Sequence, residues 1–394
     1  MRYENVVIPL RAAWSSPFVR WQGPTADVNS LELAERVTAR ALADRGVTWP
    51  VEELVLGLTI PQKEAFYGAP TLAARLGFPD TSGPMISQAC ATSVAAIHAA
   101  AASQQSRAAG ARLVVTTDRT SNGPHLVYPR TTGPGGTADS ENWVLDSFER
   151  DPITDESMLA TAERVAAEGG FSKEELDELT VRRYEQYEDA LADDRSFQRR
   201  WMVPITVGNG RRATEVDGDH GVRPVTADGL AGLPPVRPDG VVSYGSQTHP
   251  ADGSAGLIVT TESQARELGV DGPLARVIAS GFARVDAGTM PKAPVPAAQA
   301  ALRDAGLDIP DIDVIKSHNP FVVNDLWFAR ETGVDAAAIN PYGCSLIYGH
   351  PQGPTGARGI VELIHSLEER GGGRGLFTGC AAGDTGAALV VEVA

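Results

Sequence analysis

The chain has 394 residues, 42% hydrophobic and 21% charged, enough to bury two or three domain-sized cores. Its net charge of −16 disfavours a nucleic-acid partner, which needs a basic face. Three widely spaced cysteines make neither a disulfide framework nor a zinc knuckle and suit a reducing compartment. The N-terminus lacks an apolar signal core and no run approaches ~18 apolar residues, so a cytoplasmic protein without a membrane span is expected.

In chain order, residues 5–10 read as a strand. Residues 30–45 read as a helix, with apolar positions at Leu31, Leu33, Val37, Ala41 and Leu42. A strand at 54–58 and a short helix at 69–76 follow. A strand at 85–87 leads through a sharp turn at Cys90 into an Ala-rich helix running to about 109, then a strand at 112–117. This alternation predicts an α/β sheet of parallel strands. From about 118 to 251 glycine, proline and charge become frequent, as in Thr132-Gly133-Pro134-Gly135-Gly136, with helices predicted over 156–168 and 173–191. That segment reads as an inserted, mostly surface-lying subdomain of the kind that carries binding function. Alternation then returns, with strands at 256–260, 274–283, 313–316, 375–378 and 387–393 and helices at 296–305, 324–333 and 355–370. Cys90 and Gly349-His350-Pro351 each precede a helix and then a strand, which suggests a duplicated α/β architecture with two facing half-sites.

Cys90 is the first candidate for chemistry. A helix N-terminus carries about half a positive charge, which can lower a thiol pKa from about 8.5 into the range ~3.5–7.5. The plain alternative is a small buried hydrophobe. His318 follows a strand in Lys316-Ser317-His318-Asn319-Pro320-Phe321. His350 lies in a Gly/Pro-dense loop before a helix mouth suited to an anion or carbonyl oxygen. Cys380 lies in the turn Gly379-Cys380-Ala381-Ala382-Gly383-Asp384. Singly, a histidine is ordinarily structural, and His98, His125, His220, His249 and His365 are read that way. A metal site of Cys90, Cys380, His318 and His350 fits in composition but has no local ligand pair, so no metal is expected. Cys344 is assigned to packing.

Taken with their flanks, these segments resemble the thiolase family. Cys90-Ala91-Thr92-Ser93 is similar to its nucleophile segment. Gly349 to Arg358, reading Gly-His-Pro-Gln-Gly-Pro-Thr-Gly-Ala-Arg, is similar to its Gly-His-Pro block. Gly379 to Ala387 resembles its C-terminal cysteine turn. Weaker matches at Thr161-Ala162-Glu163, Arg223-Pro224, Asp252-Gly253-Ser254-Ala255 and Met290 keep the family's order over essentially the whole length.

The resemblance implies a duplicated α/β/α/β/α layered fold with an inserted loop domain. The N-terminal half would cover 1–117, continued by about 252–273, with the loop domain over 118–251 and the C-terminal half over 274–394. It implies an acyl-CoA C-acyltransferase that forms or cleaves 3-ketoacyl-CoA through an acyl-Cys90 intermediate and Claisen chemistry. Coenzyme A thioesters would be the substrates, with no cofactor. His350 would be the general base, Cys380 would handle the α-carbon proton, and His318 would donate to the enolate oxygen. Backbone N–H groups of Cys90 and Ala382 would form a second oxyanion hole. Ala382, Met290, Phe321, Thr248 and Ser157 are the expected substrate-binding residues.

Several positions depart from the family's pattern. His318-Asn319-Pro320-Phe321 replaces Asn-Glu-Ala-Phe, as in sterol-carrier-protein-type thiolases. Ala382 replaces a glycine, Ser246-Gln247-Thr248-His249 an Asn-Ala-Ser-Gly turn, Ser157 a histidine, Leu159 a glycine, and Thr117-Asp118-Arg119-Thr120 a Gly-Gly-Met-Glu-like turn. A homodimer or homotetramer is expected. The alternatives are another condensing enzyme of the superfamily, working with a small OB-fold or zinc-ribbon partner, and a non-catalytic acyl-CoA or lipid carrier.

Overall fold

The computed structural model describes residues 1–394 except 108, 109, 131, 209, 211 and 212. The Ala-rich helix runs over Thr92–Ser106, and the last residues predicted for it, 108 and 109, lie outside the described residues.

Two sheets flank a pair of central helices. The first sheet has the order Ala13–Ser15, Ala251–Val259, Ala111–Asp118, Val51–Gly57 and Met85–Ile86, with Val19–Arg20 also pairing to Ala251–Val259. The second has the order Val7–Pro9, Leu274–Arg284, Thr385–Val393, Gly373–Ala381 and Val314–His318. Between them, Val94 and Ile97 of the Thr92–Ser106 helix and Ile360 and Ile364 of the Thr355–Glu369 helix share one core. Val114 and Leu257 of the first sheet and Leu389 and Val391 of the second close it. A helix packed on every side needs no polar face, and every residue from Thr355 to Leu367 is buried.

The outer helices are amphipathic. Ser30–Asp44 is capped by Asn29, whose side chain accepts from the Leu31 N–H, and lays Leu31, Ala34, Val37 and Ala41 on the first sheet. Pro294–Ala305 and Val322–Thr332 cover the outer face of the second sheet. Five layers result, α/β/α/β/α.

The expectation of parallel sheets needs correction, because both are mixed. Val51–Gly57 runs parallel to its neighbours Met85–Ile86 and Ala111–Asp118, but Ala251–Val259 is antiparallel to Ala111–Asp118. Thr385–Val393 follows Gly373–Ala381 through a three-residue turn. So short a connection forces an antiparallel return, since a parallel crossover needs a dozen residues or more. The chain's first strand belongs to the second sheet, where Val7 pairs with Arg276, and the next, Ala13–Ser15, enters the first.

Between the strands Ala111–Asp118 and Ala251–Val259, Met158–Gly169 and Lys173–Arg199 are helical, the latter running past the predicted end at 191 but non-helical at 192–195. It is anchored by Arg183, which ion-pairs with Asp325 at 2.9 Å, both fully buried.

Three chemistry-bearing residues sit where parallel strands end, the usual location of sites in α/β folds. His318 closes Val314–His318, beside Gly379 in the parallel neighbour, with Cys380 next. A Cβ on Gly379 would lie 2.8 Å from the His318 Cβ, so only glycine permits this register. Cys90 follows Met85–Ile86.

Candidate active site

Cys90 stands just before the Thr92–Ser106 helix, on a backbone bent by Ala89 at φ 43°. Left-handed φ at a residue with a Cβ is strained and is a recurring property of functional turns. Two bonds hold the bend: the Gln88 N–H donates to Thr92 Oγ1 at 2.8 Å, and that hydroxyl donates to the Ala89 carbonyl at 2.7 Å.

His350 Nε2 lies 3.1 Å from Cys90 Sγ, and His350 Nδ1 lies 2.7 Å from Thr355 Oγ1. The Thr355 hydroxyl donates to the Pro351 carbonyl at 2.6 Å, so its oxygen accepts from His350 Nδ1–H. A neutral ring then presents a bare Nε2 to the thiol. Burial, with His318 alongside, holds His350 well below the usual histidine range, so the ring is neutral.

The expected thiol depression is corrected by the structure. Burial pushes Cys90 up to about 12, against the opposing backbone N–H groups of Ala382 and Cys90. Loss of hydration outweighs these two donors, and the charge of Asp118 adds to the rise. The resting pair is therefore thiol and neutral imidazole, which requires a base during attack.

His318 stacks on His350, ring centroids 4.1 Å apart. Its Nδ1 is 3.0 Å from Ser345 Oγ, whereas that hydroxyl is 3.4 Å from Asn319 Oδ1. His318 Nε2 is buried without a partner among the described residues, and burial lowers the ring to about 3. Cys380 accepts from Asn324 Nδ2 at 3.2 Å, and burial, followed by Cys90, raises its thiol well above the usual range. Cys90 Sγ and one nitrogen each of His318 and His350 lie within 4.8 Å of one another. Cys344 is buried and accepts from Asn319 Nδ2 at 3.2 Å.

A cavity of about 1060 Å³ opens over this cluster. Cys90, His350, Ala382, Met290, Phe321, Thr248 and Ser157 all line it, while His318 and Cys380 lie beneath the lining. The two hydroxyls among these residues are bonded differently. Thr248 donates to the Ser345 carbonyl at 2.5 Å, which uses its hydrogen, whereas Ser157 caps the Met158–Gly169 helix by accepting from Ala160 N–H at 3.3 Å and keeps its own hydrogen as a donor.

Four residues of the site were not anticipated as parts of it: Thr355, Ser345, Asn324 and Asp118. Fully buried Asp118 accepts from Thr59 N–H at 2.9 Å, Thr59 Oγ1 at 2.6 Å, Ile60 N–H at 3.1 Å and Gly353 N–H at 2.6 Å. It ties the first sheet to the loop that carries His350. Burial raises it to about 6 despite these donors.

Residues 8–263 match the family model described as thiolase, N-terminal domain, and residues 272–393 that described as thiolase, C-terminal domain. The chain is 30% identical over 398 residues to an acetyl-CoA acetyltransferase of Rhizobium meliloti, covering 98% of this chain and 99% of that one. It is 30% identical over 422 residues to a 3-ketoacyl-CoA thiolase of Citrobacter koseri, covering 96% and 94%. The crystal structure of Bacillus anthracis acetyl-CoA acetyltransferase superposes with a TM-score of 0.92 at 31% identity over 100% of both chains. Human mitochondrial 3-ketoacyl-CoA thiolase in complex with CoA superposes at 0.90 and 26%, covering 100% of this chain and 98% of that one.

Proposed function

The chain belongs to the thiolase family and is a thiolase-type acyl-CoA C-acyltransferase, and we propose that Cys90 is the group that carries its acyl chain. Its substrates are coenzyme A thioesters, and the reaction needs no cofactor. The carrier alternative falls with this assignment.

The observation that carries the proposal is the 3.1 Å approach of His350 Nε2 to Cys90 Sγ, with Nδ1–H engaged by Thr355. Cys90 Sγ attacks the acyl carbonyl while His350 Nε2 takes its proton. The carbonyl oxygen becomes an oxyanion within reach of the N–H groups of Cys90 and Ala382, a donor pair of the kind worth ~3–4 kcal/mol per donor. When a 3-ketoacyl-CoA is cleaved, the bond between the attacked carbonyl carbon and the α-carbon breaks. Its electrons pass into the enolate of the departing acyl-CoA, and Cys380 gives its proton to that α-carbon. The raised thiol pKa of Cys380 suits this direction, because the proton is in place at rest.

His318 supplies the enolate donor. If the Ser345 hydroxyl donates along its shorter contact to His318 Nδ1, Nε2 carries the hydrogen, buried and unpartnered. The enolate oxygen would complete it.

The oligomer is part of the same reading. Met85–Ile86 is an edge strand of the first sheet, Met85 is 46% exposed, and Phe66 and Tyr67 nearby are 85% and 69% exposed. An unpaired edge beside exposed aromatic surface supports two copies joining there. Three free thiols support a reducing, cytoplasmic compartment.

The test is intact mass after incubation of the chain alone with acetyl-CoA. An acetyl adduct lost in Cys90→Ala, and exchange of acetyl-CoA α-hydrogens lost in Cys380→Ala, are the expected results. No adduct on the chain alone would overturn the reading that Cys90 acts without a small partner protein. An adduct that survives Cys90→Ala would overturn Cys90 as the carrier.

A further inference from the structure

A second cavity, of about 410 Å³, opens at the far end of the Thr355–Glu369 helix, roughly 20 Å from Thr355 at ~1.5 Å per residue. Three arginines from three separate stretches of chain line it. Arg11 comes from the turn Leu10–Ala12, Arg45 caps the end of Ser30–Asp44, and Arg200 follows Lys173–Arg199.

Arg11 Nη2 donates to the Arg45 carbonyl at 3.0 Å, and Arg45 Nη1 to the carbonyls of Arg11 at 3.3 Å and Arg200 at 3.1 Å. Among the described residues neither Arg11 nor Arg45 has a carboxylate at ion-pair distance. Arg200 does, pairing with Glu368 at 3.3 Å and with Glu369. None of the carbonyls that Arg11 and Arg45 engage belongs to the Thr355–Glu369 helix, so these two side chains are not caps of its C-terminus. Burial lowers Arg45 to about 10, an effect that the nearby charge of Asp44 offsets only in part. Two guanidinium groups without an ion-pair partner among the described residues thus meet at one cavity, whose wall also carries Asp271 and Glu368.

A buried, unsatisfied atom supplies the second observation. His365 lines the cavity and is only 4% exposed. Its Nδ1 sits 3.0 Å from Glu368 Oε2. A carboxylate only accepts, so Nδ1 holds the hydrogen, and Nε2 is left buried with no partner among the described residues. The charged groups facing this ring are Arg45, Arg200 and Glu368, with Arg11 and the exposed Asp271 at the cavity wall.

We propose that this cavity binds a tetrahedral oxyanion, phosphate either free or as the phosphomonoester of a small metabolite. Arg11 and Arg45 donate to its oxygens, and His365 takes up a proton at Nε2 as it binds. Guanidinium groups match such oxygens in geometry and charge. Protonated Nε2 would satisfy the orphaned position with a third donor. The inference does not depend on the acyl-transfer chemistry at Cys90.

Titration calorimetry on the full chain tests it, with sulfate as probe because its charge is constant between pH 6 and 8. Binding should tighten as pH falls across that window. Repeating the titration in buffers of different ionisation heat should show proton uptake by the protein. Arg11→Gln should weaken binding about tenfold or more, as expected for loss of a charge-assisted bond. It should still form the acetyl adduct on Cys90, which shows the fold intact should the more buried Arg45→Gln fail to fold. His365→Gln should retain binding but lose both the pH dependence and the proton uptake. Inorganic phosphate and ribose 5-phosphate then separate the sources: equal affinity assigns the site to free phosphate, tighter ribose 5-phosphate to a metabolite. No heat with any of these anions, or binding unchanged in both Arg11→Gln and His365→Gln, would overturn the proposal.

Discussion

The Thr355 hydroxyl holds His350 Nδ1 at 2.7 Å while giving its own hydrogen to the Pro351 carbonyl at 2.6 Å. One hydroxyl thus decides which nitrogen of the base is bare. Its neighbour, Ser93, donates to the Gly353 carbonyl and braces the same loop from the other central helix. Thr355→Val keeps the shape and removes the acceptor. The ring is then free to adopt the other tautomer, with its hydrogen facing Cys90. A positioned base contributes 10²–10⁴-fold, so kcat should fall about 10–100-fold with KM little changed. Steady-state kinetics check this, and the conservative Thr355→Ser should restore most of the rate.

The thiol itself makes an opposite-sign test of two physical effects. A helix mouth would lower Cys90, but burial raises it to about 12. Its alkylation by iodoacetamide should be slow at pH 7 and still climbing between pH 9 and 10, where an ordinary thiol of pKa about 8.5 has levelled off. A plateau below pH 8 would restore the helix-mouth view. His350→Ala separates the base from the burial. It should slow acetylation by acetyl-CoA sharply, yet leave the slope of alkylation against pH in place.

What was legible in the chain, and what was not, divides along this line. The alternation of apolar runs is local and made the α/β class readable, whereas the layering and the pairing of Cys90 with His350 came through the resemblance carried by the Gly-His-Pro block and the two cysteine segments. The partners Thr355, Ser345 and Asn324 were not, because a hydroxyl or amide becomes part of a site only through distances set by packing. Burial inverted the expected Cys90 shift for the same reason: sequence displays a helix mouth but not the loss of water around it. The antiparallel return of Thr385–Val393 was hidden in a different way, since it follows from the shortness of the turn at 382–384, not from any periodicity.

Acid stability should follow the buried histidines. His318 is lowered to about 3, His249 to about 4, and His350 well below 6.5, each chiefly by burial. A histidine lowered in the fold is protonated only on unfolding within the window between its folded value and 6.5. Stability is therefore fully present above 6.5 and lost as pH falls below it, by about 1.4 kcal/mol per pH unit per histidine. Asp118, raised to about 6, works in the other direction, because the fold holds its proton more tightly between 6 and 3.8. Urea midpoints should fall from pH 6.5 to 6 and then less steeply to pH 5. His318→Asn should reduce the slope by about one proton; an unchanged slope would mean that His318 is already protonated in the fold.

Ser345 separates the two half-reactions. It contacts His318 Nδ1 at 3.0 Å, while the pair of Cys90 with His350 is built from other partners. Ser345→Ala should leave acetyl-adduct formation on Cys90 nearly unchanged and slow exchange of acetyl-CoA α-hydrogens about tenfold or more, because the enolate loses an oriented donor. Equal slowing of both steps would show that the hydroxyl acts only through general packing.

Asp118 couples stability to reactivity with opposite signs. Its carboxylate accepts four donors, including the Gly353 N–H at 2.6 Å, and its charge opposes formation of a thiolate at Cys90. Asp118→Asn replaces an acceptor oxygen by an amide donor among the N–H groups of Thr59, Ile60 and Gly353. That should destabilise the fold by about 2–3 kcal/mol in urea unfolding. The same change removes a buried negative charge, so Cys90 alkylation at pH 9 should become faster, not slower. A variant that is destabilised and also less reactive would assign Asp118 to the placement of the His350 loop alone, with its charge irrelevant to the thiol.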